Sequence, residues 1–584
     1  MRLAALVLVV VALALPAVAW AIGELTQKSG TAGCTSEDGT GGTCQDGTAL
    51  SEAQTVAVSS DGKSVYVASA GSGAVAIFDR DTTTGALAQK AGTAGCVSED
   101  GTGGACQDGT ALGAPIVVAT SADGKSAYVG SFESDSVTIF DRDASTGGLT
   151  QKAGTAGCAS QDGTGGACFD GKGLDGASSV AVSPDGTNVY AASVIGDAVA
   201  VFDRDTTTGA LTQKPGTTAC SAMGGNDGCA NDKGLDGASG VAVSPDGKNV
   251  YVASAGSDAI AVFDRDAAGV LSQNELTIGC VAEVGGDCDD GHALDGAYAV
   301  AVSPDGKNVY VAAENSDAVA IFDRDTTTGL LTQKAGAAGC FSDTGSGGAC
   351  QDGSALDQPL GVAVSPDGAS VYIGSATSDA VAIFERDPAT GALSQKAAPA
   401  GCVSETGSGG ACRDGNALDA ALGVAVSPDN LSVYVAAAGS GAIVTFDRAV
   451  AVSGPGPGPG PGPGPGPQPG GSGPAAFGTR TLVTLTLAHR RIPARGPLAI
   501  RVSNANGFQV TGRLSARMRA IKVKAKSFRV PAHARATVKL RLPKALRRLL
   551  KHRHRLRLRV SAKVADPAGN TRIVTKVVAP RLRR

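Results

Sequence analysis

Fourteen cysteines fall in seven close pairs: Cys34 with Cys44, Cys96 with Cys106, Cys158 with Cys168, Cys220 with Cys229, Cys280 with Cys288, Cys340 with Cys350 and Cys402 with Cys412. Nine residues separate most partners, but eight separate Cys220 from Cys229 and seven separate Cys280 from Cys288. The loop shortens while both ends persist, which predicts a local disulfide in each pair. A zinc site would ask for Cys-x-x-Cys spacing and usually histidine partners; residues 22–453 hold one histidine, His292. Each pair sits in an acidic phrase such as "AGCVSEDGTGGACQDGTAL" (94–112). Five phrases are followed by an aspartate after the closing Leu: Asp175, Asp236, Asp295, Asp357 and Asp419. Ser51 and Gly113 stand there in the other two. Clustered carboxylates repel unless a proton or cation relieves them, and oxygen-rich sites suit Ca²⁺. The five aspartates are therefore the candidate metal ligands, with Ca²⁺ the candidate cofactor. The competing reading is that each caps a turn by accepting backbone N–H groups.

Hydrolytic chemistry would need an activated water and donors for an oxyanion. The segments "TVAVS", "IVVAT", "SVAVS", "GVAVS" and "AVAVS" carry no His, Glu, Lys or Arg, and no Gly-x-Ser-x-Gly elbow occurs. The phrase "CVAEVGGDCDDGHALDGAY" (280–298) departs most from its siblings and offers Glu283, His292 and Tyr298. Glu283 and His292 are the candidate catalytic residues. Arg142 and Arg413 read as isolated cations.

These residues need a frame, and the repeat supplies it. First cysteines recur every 60 or 62 residues, a period to be read before anything else. Each unit holds four strand-like segments, for example "SSVAVSPDG" (178–186), "NVYAAS" (188–193), "DAVAVFDRD" (197–205) and "GALTQK" (209–214). Alternating β-branched and aromatic residues between Pro-Asp-Gly and Thr-Thr-Thr-Gly turns mark antiparallel strands. Four-stranded units repeated radially make a β-propeller. The first fourth-strand segment, "GELTQK" (23–28), precedes every other strand, and the last unit lacks one. Pairing 23–28 with the strand around 443–446 closes a seven-bladed ring and removes an open edge.

"SPDGKNVYVAS" (244–254), "SPDGKNVYVAA" (303–313) and "FDRDTTTGALTQK" (202–214) resemble the YVTN-type repeat of seven-bladed propellers and the lactonase propellers similar to 6-phosphogluconolactonase. The resemblance spans residues 22 to about 450. It implies the propeller fold, and it implies hydrolysis of a cyclic ester as one candidate activity.

Charge divides the chain. Residues 22–453 carry 20 Lys+Arg against 53 Asp+Glu, a balance of −33, whereas residues 471–584 carry 29 Lys+Arg and one acid, Asp566. Such asymmetry speaks to partners. Residues 1–21 read as a signal peptide cleaved after Ala21, leaving no transmembrane helix in the mature chain. "GPGPGPGPGPGPGPQPGG" (454–471) reads as an extended spacer. Alternating apolar and basic residues beyond it predict a small β-sandwich of the immunoglobulin or fibronectin-like sort, with a short helix at 543–555. The expected organisation is a signal peptide (1–21), a seven-bladed β-propeller (22–453), a Pro-Gly linker (454–473) and a basic β-sandwich (474–584), all-β throughout. The expected address is secreted or bound to the cell envelope. The propeller is expected to bind a ligand or partner, and the basic module to hold an anionic envelope polymer or acidic polysaccharide. Alternatives are a secreted lactonase and a structural matrix protein. Specific nucleic-acid binding is not expected, since few aromatic residues are available for stacking. Docking of the basic tail on the acidic propeller is a further expectation.

Overall fold

The computed structural model describes residues 22–273 and 279–450, and most of 483–582. The chain separates into two compact units, residues 1–454 and 455–584. The signal-peptide and Pro-Gly linker readings lie outside the described residues, as does most of the expected helix at 543–555. Among the described residues no helix is long and apolar enough to cross a membrane.

The first unit is a closed ring of seven sheets. The first blade shows the plan. Its inner strand Ala53–Val58 pairs antiparallel with Ser64–Ser69, which pairs with Ala74–Arg80. The outer strand comes in two pieces, Leu87–Gln89 and Cys96–Ser98, laid end to end along that third strand. The Gly-rich stretch between them bulges out as a 3₁₀ turn, Gly92–Gly95. The Cys loop then adds a short parallel pairing, Gln107–Asp108 against Val97–Ser98. Each expected four-stranded unit is thus extended by its own Cys loop.

Strand alternation explains the packing. The second and third strands are buried on both faces, so their small residues meet the neighbouring blades. One fully buried Tyr per blade supplies bulk, from Tyr66 to Tyr434. Inner strands of successive blades lie close together. An ideal Cβ on Gly361 would stand 2.1 Å from the Leu422 carbonyl oxygen, so no side chain fits there.

A buried arginine bolts each blade to the one before it. Arg142 Nε donates to the Tyr66 hydroxyl at 2.7 Å, its Nη1 to the Gly124 carbonyl at 2.9 Å, and its Nη2 to both Asp61 oxygens at 3.0 Å. Arg204, Arg265, Arg324, Arg386 and Arg448 repeat this on the Tyr of the preceding blade. Arg80 of the first blade reaches Tyr434 of the last. The expectation that Arg142 is isolated is therefore corrected: its partners lie a whole repeat back in sequence. Arg413 also has partners, the Leu25 carbonyl at 3.0 Å and the Glu24 carboxylate.

The ring closes as its strand phase requires. Leu25–Gln27 pairs with Phe446–Arg448, and Cys34–Ser36 pairs with Ala442–Val444. The N-terminal segment thus completes the seventh blade.

The second unit holds two main sheets. One has three strands, Val483–Leu487, Leu498–Asn504 and Ala534–Leu540. The other has four, in the order Ile521–Val530, Val510–Met518, Leu558–Ala565, Thr571–Val578. A single apolar core draws on both, including Ile500, Val538, Leu514 and Val560.

Candidate functional site

All seven expected disulfides form, each within its own loop. Cys34 is bonded to Cys44, Cys96 to Cys106, Cys158 to Cys168 and Cys220 to Cys229. Cys280 is bonded to Cys288, Cys340 to Cys350 and Cys402 to Cys412. No cysteine is left free among the described residues, so none remains to ligate a metal or act as a nucleophile. A closed loop of about ten residues is worth about 2–3 kcal/mol in the chain-entropy account. Much of the loop's polarity is spent on its own shape. Asp38 accepts the Thr40 N–H at 2.8 Å, where Thr40 takes a left-handed φ of 46°. Glu37 accepts the Leu50 N–H at 2.5 Å. Gln89, from the next outer-strand piece, grips Thr48 from both sides: its amide oxygen accepts the Thr48 N–H at 2.9 Å and its amide donates to the Thr48 carbonyl at 2.7 Å.

This plan locates the catalytic candidates. Glu283 accepts the Leu294 N–H at 2.6 Å, the role Glu37, Glu99 and Glu405 fill on Leu50, Leu112 and Leu418. The His292 main chain is held by Gln333: its N–H donates to Gln333 Oε1 at 3.0 Å, and Gln333 Nε2 donates to its carbonyl at 2.8 Å. The His292 ring nitrogen Nε2 is buried without a hydrogen-bond partner, close to Gly339. No hydrogen bond joins Glu283 to His292 among those described.

The candidate metal aspartates dock on the hairpin turn of their own blade. The Asp236 and Asp295 N–H groups donate to Ser257 Oγ and Ser316 Oγ, and each aspartate's carbonyl accepts two backbone N–H groups of the turn. The next residue's N–H reaches back to a carboxylate of the preceding blade: Gly176 to Asp135 at 2.6 Å, Gly237 to Asp197 at 2.8 Å, Gly296 to Asp258 at 2.7 Å. Asp135, Asp197 and Asp258 all stand at left-handed φ, where the first and seventh blades use Gly73 and Gly441. Two acids consequently meet at a blade junction. Burial and then the neighbouring Asp135 raise the Asp175 carboxyl above its ordinary range; burial and then Asp197 do the same to Asp236. Among the described residues no three acidic, His or Cys side chains come together to hold a metal ion. The five aspartates sit at separate junctions.

What departs from the repeat is the inner end of the ring between the fifth and sixth blades. Tyr298 stands near the start of the inner strand Ala297–Val302; burial and then the Glu314 carboxylate raise its pKa. The Gln358 side-chain amide donates to Glu314, and Thr377 Oγ1 donates to Gln358 Oε1 at 2.6 Å. Asn315 donates to Asp295 Oδ1 at 2.9 Å. The positions matching Tyr298 elsewhere are Gln54, Ile116, Ser178, Ser239, Leu360 and Leu422, and those matching Glu314 include Phe132 and Val194. Tyr298, Glu314, Gln358 and Thr377 therefore form a polar cluster at positions that several other blades fill with apolar residues. Glu314, Gln358 and Thr377 were missed in sequence; the available signal was "VAAENSD" (311–317) where a sibling reads "VASAGSD" (252–258).

Fold and site together define a closed seven-bladed β-propeller with a disulfide-pinned loop in every blade. Residues 117–223 and 225–340 match the family described as "Lactonase, 7-bladed beta-propeller", so the propeller is lactonase-like in sequence as well as in fold. Solved structures similar to the chain include a provisionally named 6-phosphogluconolactonase from Bacteroides fragilis, 22% identical over 58% of this chain and 82% of that one, with a TM-score of 0.41. The periplasmic gluconolactonase PpgL of Pseudomonas aeruginosa is 19% identical over 64% and 93%, with a TM-score of 0.40. Hydrazine synthase of Kuenenia stuttgartiensis is 19% identical over 69% and 98%, with a TM-score of 0.41. No curated protein matches the chain.

Proposed function

We propose that this is an exported binding propeller whose basic C-terminal module retains it on an anionic surface. The observation that carries the reading is the contrast within the ring. Seven loops are pinned by disulfides and turn bonds into one rigid plan, and only a few inner positions vary freely. The varied positions gather Tyr298, Glu314, Gln358 and Thr377 into one polar cluster, where other blades carry apolar residues such as Ile116 and Phe132. That combination suits a small ligand with one polar edge. Seven disulfides and the leader-like residues 1–21 support an oxidising address.

Lactone hydrolysis is the second reading, favoured by the family match and by the Glu314 carboxylate beside Tyr298. In it Glu314 takes a proton from water as the water oxygen attacks the ester carbonyl, the Tyr298 hydroxyl hydrogen-bonds the developing oxyanion, and collapse of the tetrahedral intermediate breaks the ring C–O bond as Glu314 returns the proton to the leaving alkoxide oxygen.

A pH-stat assay on the oxidised chain with sugar and aromatic lactones, with and without Ca²⁺, separates the two. Acid release that falls at least tenfold in Glu314→Gln establishes hydrolysis at this site. Loss in His292→Ala or Glu283→Ala instead moves the site to the Cys loop. Absence of turnover from folded protein leaves binding, to be read by titrating the same lactones against Tyr298 fluorescence, with Tyr298→Phe as control.

A further inference from the structure

The two sheets of the C-terminal unit distribute charge differently. On the three-stranded sheet every exposed cation faces a neutral residue: Arg501 opposite Thr537, Arg535 opposite Ser503, Lys539 opposite Ala499. On the four-stranded sheet Arg513 lies directly opposite Lys563, both exposed. Arg529 lies one pair along, opposite Thr511, and Lys522 and Lys524 extend the basic run on the same strand. Like charges placed directly across a sheet destabilise it. The inward sides of these strands carry Leu514, Ala562, Val523 and Val530 in the core, so the cations share the outward face. No ion pair relieves them among the described residues, and Asp566 is the one acid from residue 471 onward.

We propose that this outward face, centred on Arg513, Lys563 and Arg529, is the docking surface for a linear acidic polysaccharide. The proposal rests on the retention reading above and assigns it to one sheet. Neighbouring strands lie about 4.8 Å apart and alternate residues along a strand about 6.8 Å apart, so the face sets its cations at spacings a chain with regularly repeated charge can meet. Such a chain supplies the counter-charge that the sheet lacks. A lipid surface fits less well, because the unit exposes no large apolar side chain among the described residues to enter a headgroup layer. Duplex DNA fits less well, because the face has neither a helix nor a projecting ribbon for a groove. Phe528, which could have stacked on a base, turns into the core beside Gly512.

The test compares two full-length variants with equal charge change. One is Arg513→Gln/Arg529→Gln/Lys563→Gln; the other is Arg501→Gln/Arg535→Gln/Lys539→Gln. Each is measured against immobilised polygalacturonate at fixed ionic strength, with thermal melting to confirm folding. The expected result is at least a tenfold weaker Kd for the first and less than a twofold change for the second. Equal losses would overturn the assignment to this face while leaving retention intact. Tighter binding of the wild type to duplex DNA or anionic phospholipid vesicles would overturn the polysaccharide assignment. Failure of the wild type to bind any of the three would overturn retention itself.

Discussion

At the scale of residues, acids in this propeller do opposite work at its two ends. The Asp175 and Asp236 carboxyls are raised, first by burial and then by Asp135 and Asp197. A carboxyl whose pKa is raised by folding binds its proton more tightly in the native state. Its contribution is present below the ordinary carboxylate range and lost as pH climbs through the raised value. At neutral pH these junctions therefore cost stability. The Asp61 and Asp305 carboxyls behave in reverse. Burial works to raise them, and hydrogen bonds from Ser59 or Ser303, from backbone N–H groups and from the bolting arginine outweigh it. Their contribution is present above the ordinary range and lost as pH falls through the lowered value. Thermal melting followed from pH 7 to pH 2 should accordingly peak in mild acid. Asp175→Asn should raise stability at pH 7 by about 0.5 kcal/mol or less, the scale of partly exposed charges, with the gain vanishing near pH 3. A loss at pH 7 would show that the carboxylate is needed as an acceptor.

At the scale of elements, each blade is tied to its neighbours by two side chains that recur with the repeat. The outer-strand Gln fixes the preceding Cys loop, and the third-strand Arg fixes the preceding Tyr. The Tyr310 hydroxyl accepts from Arg386 Nε at 2.8 Å and donates to the Gly391 carbonyl at 2.9 Å. Tyr310→Phe keeps the ring but leaves a buried donor and acceptor unpaired, which should cost about 1–3 kcal/mol. Arg386→Ala strips the buried Tyr310 hydroxyl and the Gly368 carbonyl of their donor and the partly exposed Asp305 of its cation, and should cost about 2–4 kcal/mol. Denaturant midpoints on the oxidised protein measure both, and an Arg386→Ala loss below that of Tyr310→Phe would show the arginine to be expendable. These contacts also mark what a sequence yields and what it hides. Strand alternation, the turn signals and the Cys spacing are local, so blades, closure and disulfides were legible. Arg142 looked isolated because Tyr66 and Asp61 lie 76 and 81 residues away. Glu283 looked irregular because its loop is shorter, yet its carboxylate holds Leu294 as its siblings hold theirs. Tyr298 was visible as a departure, but its companions Glu314, Gln358 and Thr377 come from three further turns that the packing of the fifth blade against the sixth brings together.

At the scale of the whole propeller, stability depends on a contact between the two ends of its chain. Blades one to six take their outer-strand pieces from the sequence that follows them, whereas blade seven takes Leu25–Gln27 and Cys34–Ser36 from the beginning. Without these segments, Ala442–Arg448 would present seven residues of unpaired edge, the kind of edge that recruits another chain. Arg80, Tyr434 and Asp429 would lose nothing directly, since their bonds run from the first blade's third strand, so the ring would stay bolted on its inner side while its last sheet frayed outside. Deleting residues 22–36 together with Cys44→Ser, so that no thiol is left unpaired, should therefore raise amide exchange across 442–448 by at least tenfold and promote self-association on size-exclusion chromatography, with blades one to five still protected. Moving residues 22–52 to follow residue 450 restores a continuous seventh blade and should return both readouts to those of the parent. Ring closure is sound as a stability argument only if the deletion harms the seventh blade and the permutation repairs it. A deletion that leaves exchange at 442–448 unchanged would mean that the arginine bolts alone hold the ring shut.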